Sequence, residues 1–88
     1  MSYAIIILDE KIFAKDIAKI NKPECTNVMN KISQLQKDGI LNAQVKRLKN
    51  YPLADFRLRV GNYRVLFNFS LENKEILVLR VLHRSELY

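Results

Sequence analysis

The stretch FRLRVGNYRVLFNF, residues 56–69, sets apolar and polar side chains in alternation on both sides of a Gly-Asn pair. Phe56, Leu58 and Val60 alternate with arginines before the pair, and a second alternating run begins at Tyr63. Because successive side chains of a β-strand point to opposite faces, a period of two predicts strands. A Gly-Asn pair between two such runs is typical of a two-residue hairpin turn. The stretch therefore predicts a β-hairpin with one apolar face and one arginine face.

A two-residue loop determines which side chains lie opposite each other in this hairpin. The expected cross-strand pairs are Val60 with Tyr63, Arg59 with Arg64, Leu58 with Val65 and Phe56 with Phe67. Two directly opposed arginines destabilise a sheet by a few tenths to about 1 kcal/mol. The pair therefore favours an anion site, because converging guanidinium groups suit phosphate oxygens. The alternative is that the arginines extend into water and cover Leu66 with their aliphatic stems.

Towards the N-terminus, the chain predicts one strand and two helices. The apolar run SYAIIIL (2–8) predicts a short strand, and Asp9 follows as a helix N-cap ahead of an apolar series at helical spacing, Phe13, Ile17 and Ile20. The stretch NKPECTNVMNKISQLQKDG (21–39) has a proline in its first turn, one apolar stripe and a final glycine. It predicts a second amphipathic helix that packs beside the first on one side of the sheet.

Towards the C-terminus, a loop at SLENK (70–74) and the apolar run EILVLRVLHR (75–84) predict another strand. The order β-α-α-β-β-β predicts an α+β fold, a twisted antiparallel β-sheet with two N-terminal α-helices packed on one face. At 88 residues, the chain 1–88 is expected to form a single domain. The expected core is Ile5, Ile7, Phe13, Ile17, Val28, Ile32, Leu35, Phe56, Leu58, Val65, Phe67 and Val78.

Charge is distributed unevenly along the chain. The net charge is +6, and residues 45–88 hold nine Lys or Arg against four acidic residues, whereas residues 1–44 hold six against five. A basic second half favours a polyanionic partner, with a solvated face or an acidic protein partner as alternatives.

The composition also narrows the function classes. With one cysteine, Cys25, and one histidine, the chain offers no internal disulfide and no zinc set, so no metal or cofactor is expected and Cys25 is expected in the core. The longest apolar run, Ala4 to Leu8, is far too short for a membrane span, and no signal peptide is recognisable. We therefore expect a cytoplasmic protein that does not contact a membrane.

The position of the single histidine, His83, depends on the register of the last strand. An even loop pairs Arg64 near Val81 and places His83 on the arginine face, whereas an odd loop sends Arg80 and Arg84 there. A bulge near the end of the strand is a third route, which could bring both His83 and Arg84 to the arginines. An imidazole exchanges protons near neutral pH, so beside arginines His83 is a candidate general base.

Two stretches resemble the RelE/ParE superfamily of toxins from bacterial type II toxin–antitoxin systems, and more closely its RelE branch of ribosome-dependent mRNA interferases. Residues 45–67, VKRLKNYPLADFRLRVGNYRVLF, are similar to the family's leucine-lysine pair, proline-containing turn, alternating basic residues, glycine and Tyr-Arg pair. Residues 78–88, VLRVLHRSELY, are similar to its closing His-Arg-x-x-x-Tyr signature. With the strand-helix-helix opening, the resemblance spans almost the whole chain and implies a RelE-like toxin domain.

This resemblance implies an endoribonuclease that cleaves messenger RNA in the ribosomal A site, by metal-independent attack of a ribose 2′-hydroxyl on the adjacent phosphate, and so inhibits translation. Arg57 and Arg59 match basic residues of the family, one of them proposed as base or transition-state stabiliser. Arg64 matches the phosphate-binding arginine, and Arg84 the arginine that protonates the leaving oxygen. Tyr88 matches the tyrosine that stacks on a base.

The best-known family members carry lysines where this chain has Arg57 and Arg59. An arginine side chain is a poor base but a good stabiliser of negative charge, which makes His83 a candidate base here. Three further cations are expected to hold the backbone of ribosomal or messenger RNA, with a solvated surface as the alternative: Lys46, Arg47 and Lys49.

The resemblance also implies partners: a cognate antitoxin protein, mRNA in the A site, and the 70S ribosome with its rRNA. Two other functions remain open, a ParE-like inhibitor of DNA gyrase and a nucleic-acid-binding domain without catalysis. Members of the ParE branch do not need the combined set, which therefore favours the nuclease: Arg57, Arg59, Arg64, Arg84 and Tyr88.

Overall fold

The computed structural model describes residues 2–87. Along the chain the elements are β1 (Ala4–Ile7), α1 (Glu10–Ala18), α2 (Lys22–Asp38), a 3-10 turn (Gly39–Leu41), β2 (Val45–Arg47), β3 (Phe56–Val60), β4 (Tyr63–Ser70), β5 (Glu75–His83) and α3 (Arg84–Leu87). Within residues 2–87, no helix combines the length and the apolar character that crossing a membrane requires.

The two main helices begin and end where the sequence predicts. Asp9 caps α1, because its Oδ1 accepts a hydrogen bond from the Ile12 backbone N–H at 3.0 Å. Asn21 caps α2 in the same way, with its Oδ1 3.0 Å from the Glu24 nitrogen. Gly39 ends α2 with a φ of 54°, and a β-carbon there would lie 3.0 Å from the ring of Tyr3. A side chain would therefore be both strained and crowded at this helix end.

The five strands form one sheet in the order β1-β5-β4-β3-β2. The predicted α+β class, with both main helices against one face, is confirmed. The sheet is not antiparallel throughout, however, because β1 pairs with β5 in parallel, Ile7 beside Val78. Nearly the whole chain separates these two strands, so no tight turn imposes an antiparallel pairing. The short edge strand β2 is a further addition to the predicted order.

The hairpin register predicted from the Gly-Asn pair is confirmed. In β3 and β4, the opposed residues are Val60 with Tyr63, Arg59 with Arg64, Leu58 with Val65, Arg57 with Leu66 and Phe56 with Phe67. Gly61 has a φ of 56°, which glycine adopts without strain. The turn therefore holds two arginines opposite each other at the end of the hairpin.

The main core lies between the helices and the apolar face of the hairpin. Val28, Leu35, Leu58, Val65 and Phe67 have no exposed surface. Every residue predicted for the core is found in it, with some at its partly buried margin: Ile5, Ile7, Phe13, Ile17 and Phe56. Cys25 also packs, partly buried, against this core, as predicted.

A second apolar cluster lies on the arginine face of the sheet, where the sequence predicted none. It is formed by Ala54, Leu66, Leu82 and Leu87, with Leu48, Tyr51 and Leu79 packed around it. Leu66 is completely buried. The consecutive apolar residues 65–67 were the available signal, since a strand buried on both faces loses its alternation. The segment between β2 and β3 and the helix α3 thus cover part of this face.

Candidate functional site

Four cations of β2, β3 and β4 lie on the face of the sheet that points away from the main core. Lys46 of β2 pairs with Arg57 of β3, and Arg59 of β3 pairs with Arg64 of β4. Strand alternation puts all four on the same side of the sheet. We call Lys46, Arg57, Arg59 and Arg64 the arginine face. Leu66, between them, is buried in the second apolar cluster.

The Arg59–Arg64 pair is a close one. The backbone N–H of Arg59 donates to Gln44 at 2.9 Å, on the side of β2. Since the N–H and C=O of a residue in a strand point to the same side, Arg59 and Arg64 form a non-hydrogen-bonded pair. Residues in such pairs have their α-carbons about 4.5 Å apart and their side chains closer than in the alternate pairs. Arg59 is exposed and Arg64 is half-buried.

The guanidinium group of Arg64 is held against the hairpin turn. Its Nη1 donates to the carbonyl oxygens of Gly61 and Tyr63, both at 2.9 Å. Arg84 meets the same turn, because its backbone N–H donates to the Asn62 carbonyl at 2.7 Å. The turn therefore brings Arg84, at the start of α3, close to the position of Arg64. These contacts hold Arg64 and the start of α3 against the hairpin turn.

A bulge in the sheet sets the position of His83. The loop between β4 and β5 has four residues, since Ser70 pairs with Glu75, and up to Phe67 and Val78 the register is that of an even loop. A shift between Leu66 and Phe67 then moves the pairing by one residue. As a result Arg64 pairs with Leu82, and His83 pairs with Tyr63.

The expectation that an even loop, or a bulge, places His83 on the arginine face is therefore wrong. His83 lies on the opposite face of β5, with its ring edge-on to that of Tyr63 at a centroid distance of 5.4 Å. Its Nδ1 lies 2.8 Å from Ser85 Oγ and accepts a hydrogen bond from the Ser85 backbone N–H at 3.2 Å. Glu86 accepts one from the His83 N–H at 3.0 Å. These contacts hold the start of α3.

An open cleft of about 340 Å³ adjoins the arginine face. Its walls are Lys46, Arg47, Leu48, Lys49, Tyr51, Arg57 and Leu87. All three cations predicted to bind RNA backbone thus line one cleft together with Arg57. The Arg47 guanidinium, however, points to the other face of the sheet. It lies over the ring of Phe56, 5.9 Å from the centroid, and Phe56 packs against the main core.

Three wall residues of this cleft were not predicted as site residues: Leu48, Tyr51 and Leu87. Tyr51 stands in the segment KNYP (49–52), whose proline indicates a turn rather than a binding site. Leu87 is buried in the second apolar cluster. Tyr88 lies outside the described residues, so its predicted stacking role stays a prediction.

Arg80 pairs with Leu66, so it lies on the same side of the sheet as the arginine face, but its guanidinium group forms an ion pair with Asp16 of α1. Its Nε and Nη2 donate to the two carboxylate oxygens at 2.8 and 2.9 Å, and the Val81 N–H donates to Oδ2 at 3.0 Å. Burial on its own would raise the pKa of Asp16, but these hydrogen bonds outweigh it and hold the pKa below its ordinary value. The pair ties α1 to the part of β5 that extends beyond β1.

Tyr63 faces the helices rather than the arginines. Burial raises the pKa of Tyr63, and the neighbouring Glu24 carboxylate raises it further. A small cleft of about 210 Å³ lies here, between α2 and the hairpin turn. Across residues 2–87, no three histidine, cysteine or acidic side chains are grouped closely enough to hold a metal ion.

Comparison with solved structures identifies the class of fold. The chain is similar to the Mycobacterium tuberculosis RelBE2 toxin–antitoxin complex (TM-score 0.77, 22% identity, 96% of this chain and 100% of that chain). It is also similar to the Methanococcus jannaschii RelB–RelE complex (0.71, 27%, 94% of each chain). A third similar structure is free Escherichia coli RelE with two arginine substitutions (0.69, 22%, 100% and 92%). The fold is therefore that of the RelE/ParE superfamily of toxins.

Comparison of the sequence with family models identifies the protein family. The family model described as "ParE toxin of type II toxin-antitoxin system, parDE" matches residues 10–88. The chain therefore belongs to this toxin family of type II toxin–antitoxin systems, as the resemblance predicted. No curated protein is significantly similar in sequence. The family description names ParE, whereas the similar structures are of RelE.

Proposed function

We propose that this protein is a ribosome-dependent mRNA endonuclease that inhibits translation by cleaving messages in the ribosomal A site. The observation that carries the proposal is the Arg59–Arg64 pair, which places two guanidinium-bearing residues directly opposite each other on one face of the sheet. Converging guanidinium groups suit the oxygens of a phosphate. Arg57 and Lys46 extend the same positive surface across two more strands.

The chemistry needs alignment and charge neutralisation more than a cofactor. The 2′-oxygen of a ribose forms a bond to the adjacent phosphorus while the bond from phosphorus to the 5′-oxygen breaks, which leaves a 2′,3′-cyclic phosphate and a 5′-hydroxyl. Negative charge develops on the phosphate oxygens during this step. Donors that are already positioned there lower the barrier, because they need no reorganisation as the charge develops.

We assign the roles by combining the family resemblance with the positions of the residues. Arg64, held against the turn by two carbonyl oxygens, binds the phosphate, and Arg59 opposite it neutralises the developing charge. Arg57 lies next along β3, towards the cleft, and contacts the preceding phosphate. Arg84 is bound to the turn through its backbone and donates a proton to the leaving 5′-oxygen.

His83 fits the role of base less well than the sequence implies. It is on the other face of β5, and its Nδ1 is hydrogen-bonded to Ser85. We therefore assign it to holding α3 in place, and the 2′-hydroxyl proton leaves to solvent. Tyr88 retains its proposed role, in which its ring stacks on an A-site base.

The basic cleft provides the contacts outside the reacting phosphate. Lys46 and Lys49 bind backbone phosphates of the message or of rRNA in the 70S ribosome, and Arg47 adds charge at the rim. Such contacts weaken as salt rises, because binding releases counterions from the RNA. The ribosome and its messages would make the cytoplasm the place of action.

A cognate antitoxin is the proposed protein partner. Similar toxins have been solved in complexes with RelB antitoxins. The excess positive charge of this chain suits an acidic amphipathic segment that folds on binding. Purification from native cells under mild conditions should recover an acidic partner in stoichiometric amount. Recovery of the chain by itself would count against this partner.

Gyrase inhibition is the second candidate, because the matching family model is described by ParE and parDE. One pair of assays separates the two functions. Toe-printing of programmed 70S ribosomes detects new A-site cuts, and a supercoiling assay with purified gyrase detects inhibition. We expect the wild type to cut the message and Arg64→Gln to cut it much less. The control is Lys37→Gln, which also removes one positive charge, from an exposed position on α2, and should cut like the wild type. Intact messages together with inhibited supercoiling would reverse the assignment.

A further inference from the structure

Tyr51 is the wall between two open clefts. It lines the basic cleft of about 340 Å³ and also a shallower one of about 490 Å³, formed with Leu48, Asn50, Pro52 and Asp55. The side chain is half-buried, because it packs at the margin of the second apolar cluster. The part of Tyr51 that is not packed faces the two clefts.

The other tyrosines in the described part of the chain differ from Tyr51 in their contacts. Tyr3 lies edge-on to Phe69, with the ring centroids 5.0 Å apart, and Tyr63 lies edge-on to His83. Within residues 2–87, no ring contact of this kind is found for Tyr51. Two tyrosines are therefore paired with protein rings, and the third borders the basic cleft.

The loop between β2 and β3 holds Tyr51 in a defined place. Asn50, directly before it, has a φ of 57°, a conformation that asparagine adopts more readily than most residues, and Pro52 directly after it has a restricted φ. The Leu48 N–H donates to the Asp55 carbonyl at 2.8 Å, which closes the loop. The Asp55 N–H in turn donates to Asn68 Oδ1 of β4 at 2.7 Å. The ring is therefore carried by a loop that is tied to the sheet at its base.

The surroundings of Tyr51 match what single-stranded nucleic acid requires. Three cations, Lys46, Lys49 and Arg57, line the basic cleft beside it. Proteins that bind single strands combine a positively charged groove with aromatic rings on which bases stack. A volume of about 340 Å³ lies in the range of roughly 300–1,000 Å³ that is usual for small-ligand clefts.

We propose that Tyr51 is a base-binding residue, which stacks on a message nucleotide adjacent to the cleaved one and holds the strand in the basic cleft. This proposal rests on the proposed function, since it assigns a second nucleotide position to the same site. Arg57 belongs both to the arginine face and to the cleft wall, and so connects the reacting phosphate to the nucleotide on Tyr51. Tyr51 then contributes to substrate binding more than to the rate of the chemical step.

The test uses 70S ribosomes programmed with a message that carries 2-aminopurine at successive positions in and beside the A-site codon. Methyl groups on the 2′-oxygens block cleavage, so binding alone is measured. Stacking on an aromatic ring quenches 2-aminopurine fluorescence. We expect the wild type to quench two positions, one through Tyr88 and one through Tyr51. Tyr51→Leu, which keeps apolar bulk against the second cluster, should lose only the quench due to Tyr51 and bind at least about tenfold more weakly. Tyr51→Phe and Tyr51→Trp keep a flat ring and should bind within about threefold of the wild type.

Tyr3→Leu is the matched control, because it removes a tyrosine ring from the main core and should leave both quenches and the affinity unchanged. Thermal unfolding of each variant identifies loss of fold. On an unmodified message, Tyr51→Leu should raise the half-saturating toxin concentration while the single-turnover rate at saturation changes by less than about threefold. If Tyr51→Leu binds and quenches like the wild type, the base-binding role is refuted although cleavage by the wild type upholds the proposed function. If the wild type leaves the unmodified message intact, it is the proposed function that fails.

Discussion

The substitution Arg59→Gln should increase stability and reduce activity at the same time. Arg59 is exposed and lies opposite Arg64 in a non-hydrogen-bonded pair, where side chains are closest. Removing its charge relieves a repulsion of a few tenths to about 1 kcal/mol. For a domain of this size, each 1 kcal/mol corresponds to about 4–8 °C in Tm. We therefore expect Tm to rise by several degrees at most.

The same substitution should slow cleavage much more than it stabilises the fold. Removing one positioned donor to a developing negative charge typically costs about 10²–10³ in rate. Arg64→Gln is a less clean test, because it also removes the hydrogen bonds to the Gly61 and Tyr63 carbonyls. The two properties are measured by urea unfolding and by single-turnover cleavage on programmed ribosomes.

Salt provides an internal control for Arg59→Gln. The repulsion is between charges near the surface, so the gain in stability should shrink as ionic strength rises towards about 1 M. Loss of activity should persist when the ribosome is saturated with toxin, because it arises in the chemical step. A variant that is less stable than the wild type and cleaves at full rate would refute the reasoning for this pair.

Substitutions at three further positions test the other assignments. Asp16→Asn should destabilise the fold by about 1.5–3 kcal/mol, since it weakens charged hydrogen bonds to Arg80. Because folding lowers the pKa of Asp16, the wild type should lose this stability as pH falls below the ordinary value of 3.8, and urea unfolding of the variant should lack that acid loss. His83→Gln should cleave at a rate within about tenfold of the wild-type rate, and its pH–rate profile should be unchanged from about pH 5.5 to 8. If the substitution removes an inflection in this range, the imidazole is the base. Tyr88→Ala should slow cleavage by about five- to a hundredfold, whereas Tyr88→Phe should retain most of the rate, and equal rates for the alanine variant and the wild type would exclude stacking.

The hairpin and the helix boundaries were predictable because local chemistry determines them. A Gly-Asn turn of two residues fixes the register of β3 and β4, and therefore the Arg59–Arg64 pair. Asp9, Asn21 and Gly39 mark helix ends through bonds within a few residues. The main core followed from the same periodicities. In these parts of the chain, the residues that determine the structure are close in sequence to the structure they determine.

The position of His83 was not predictable, because it depends on one extra residue inside a strand. The shift between Leu66 and Phe67 falls in an apolar run with no glycine or proline to mark it. The ion pair of Asp16 with Arg80 joins residues 64 positions apart, and its only trace in the sequence is an acidic residue on the apolar side of a helix. Tyr51 could have been noted, since an aromatic residue among Lys46, Arg47 and Lys49 is a feature of single-strand binding.

The parallel pairing of β1 with β5 has a consequence for the timing of synthesis. Val78 leaves the peptidyl-transferase centre about 70 residues after its partner Ile7, which at about 5–20 residues per second is a delay of roughly 4–14 s. During that interval β1 lacks the strand beside which it lies. The same late strand supplies Leu82 beneath the arginines and leads into Arg84. A nascent chain therefore cannot complete the sheet that carries these arginines until β5 has emerged.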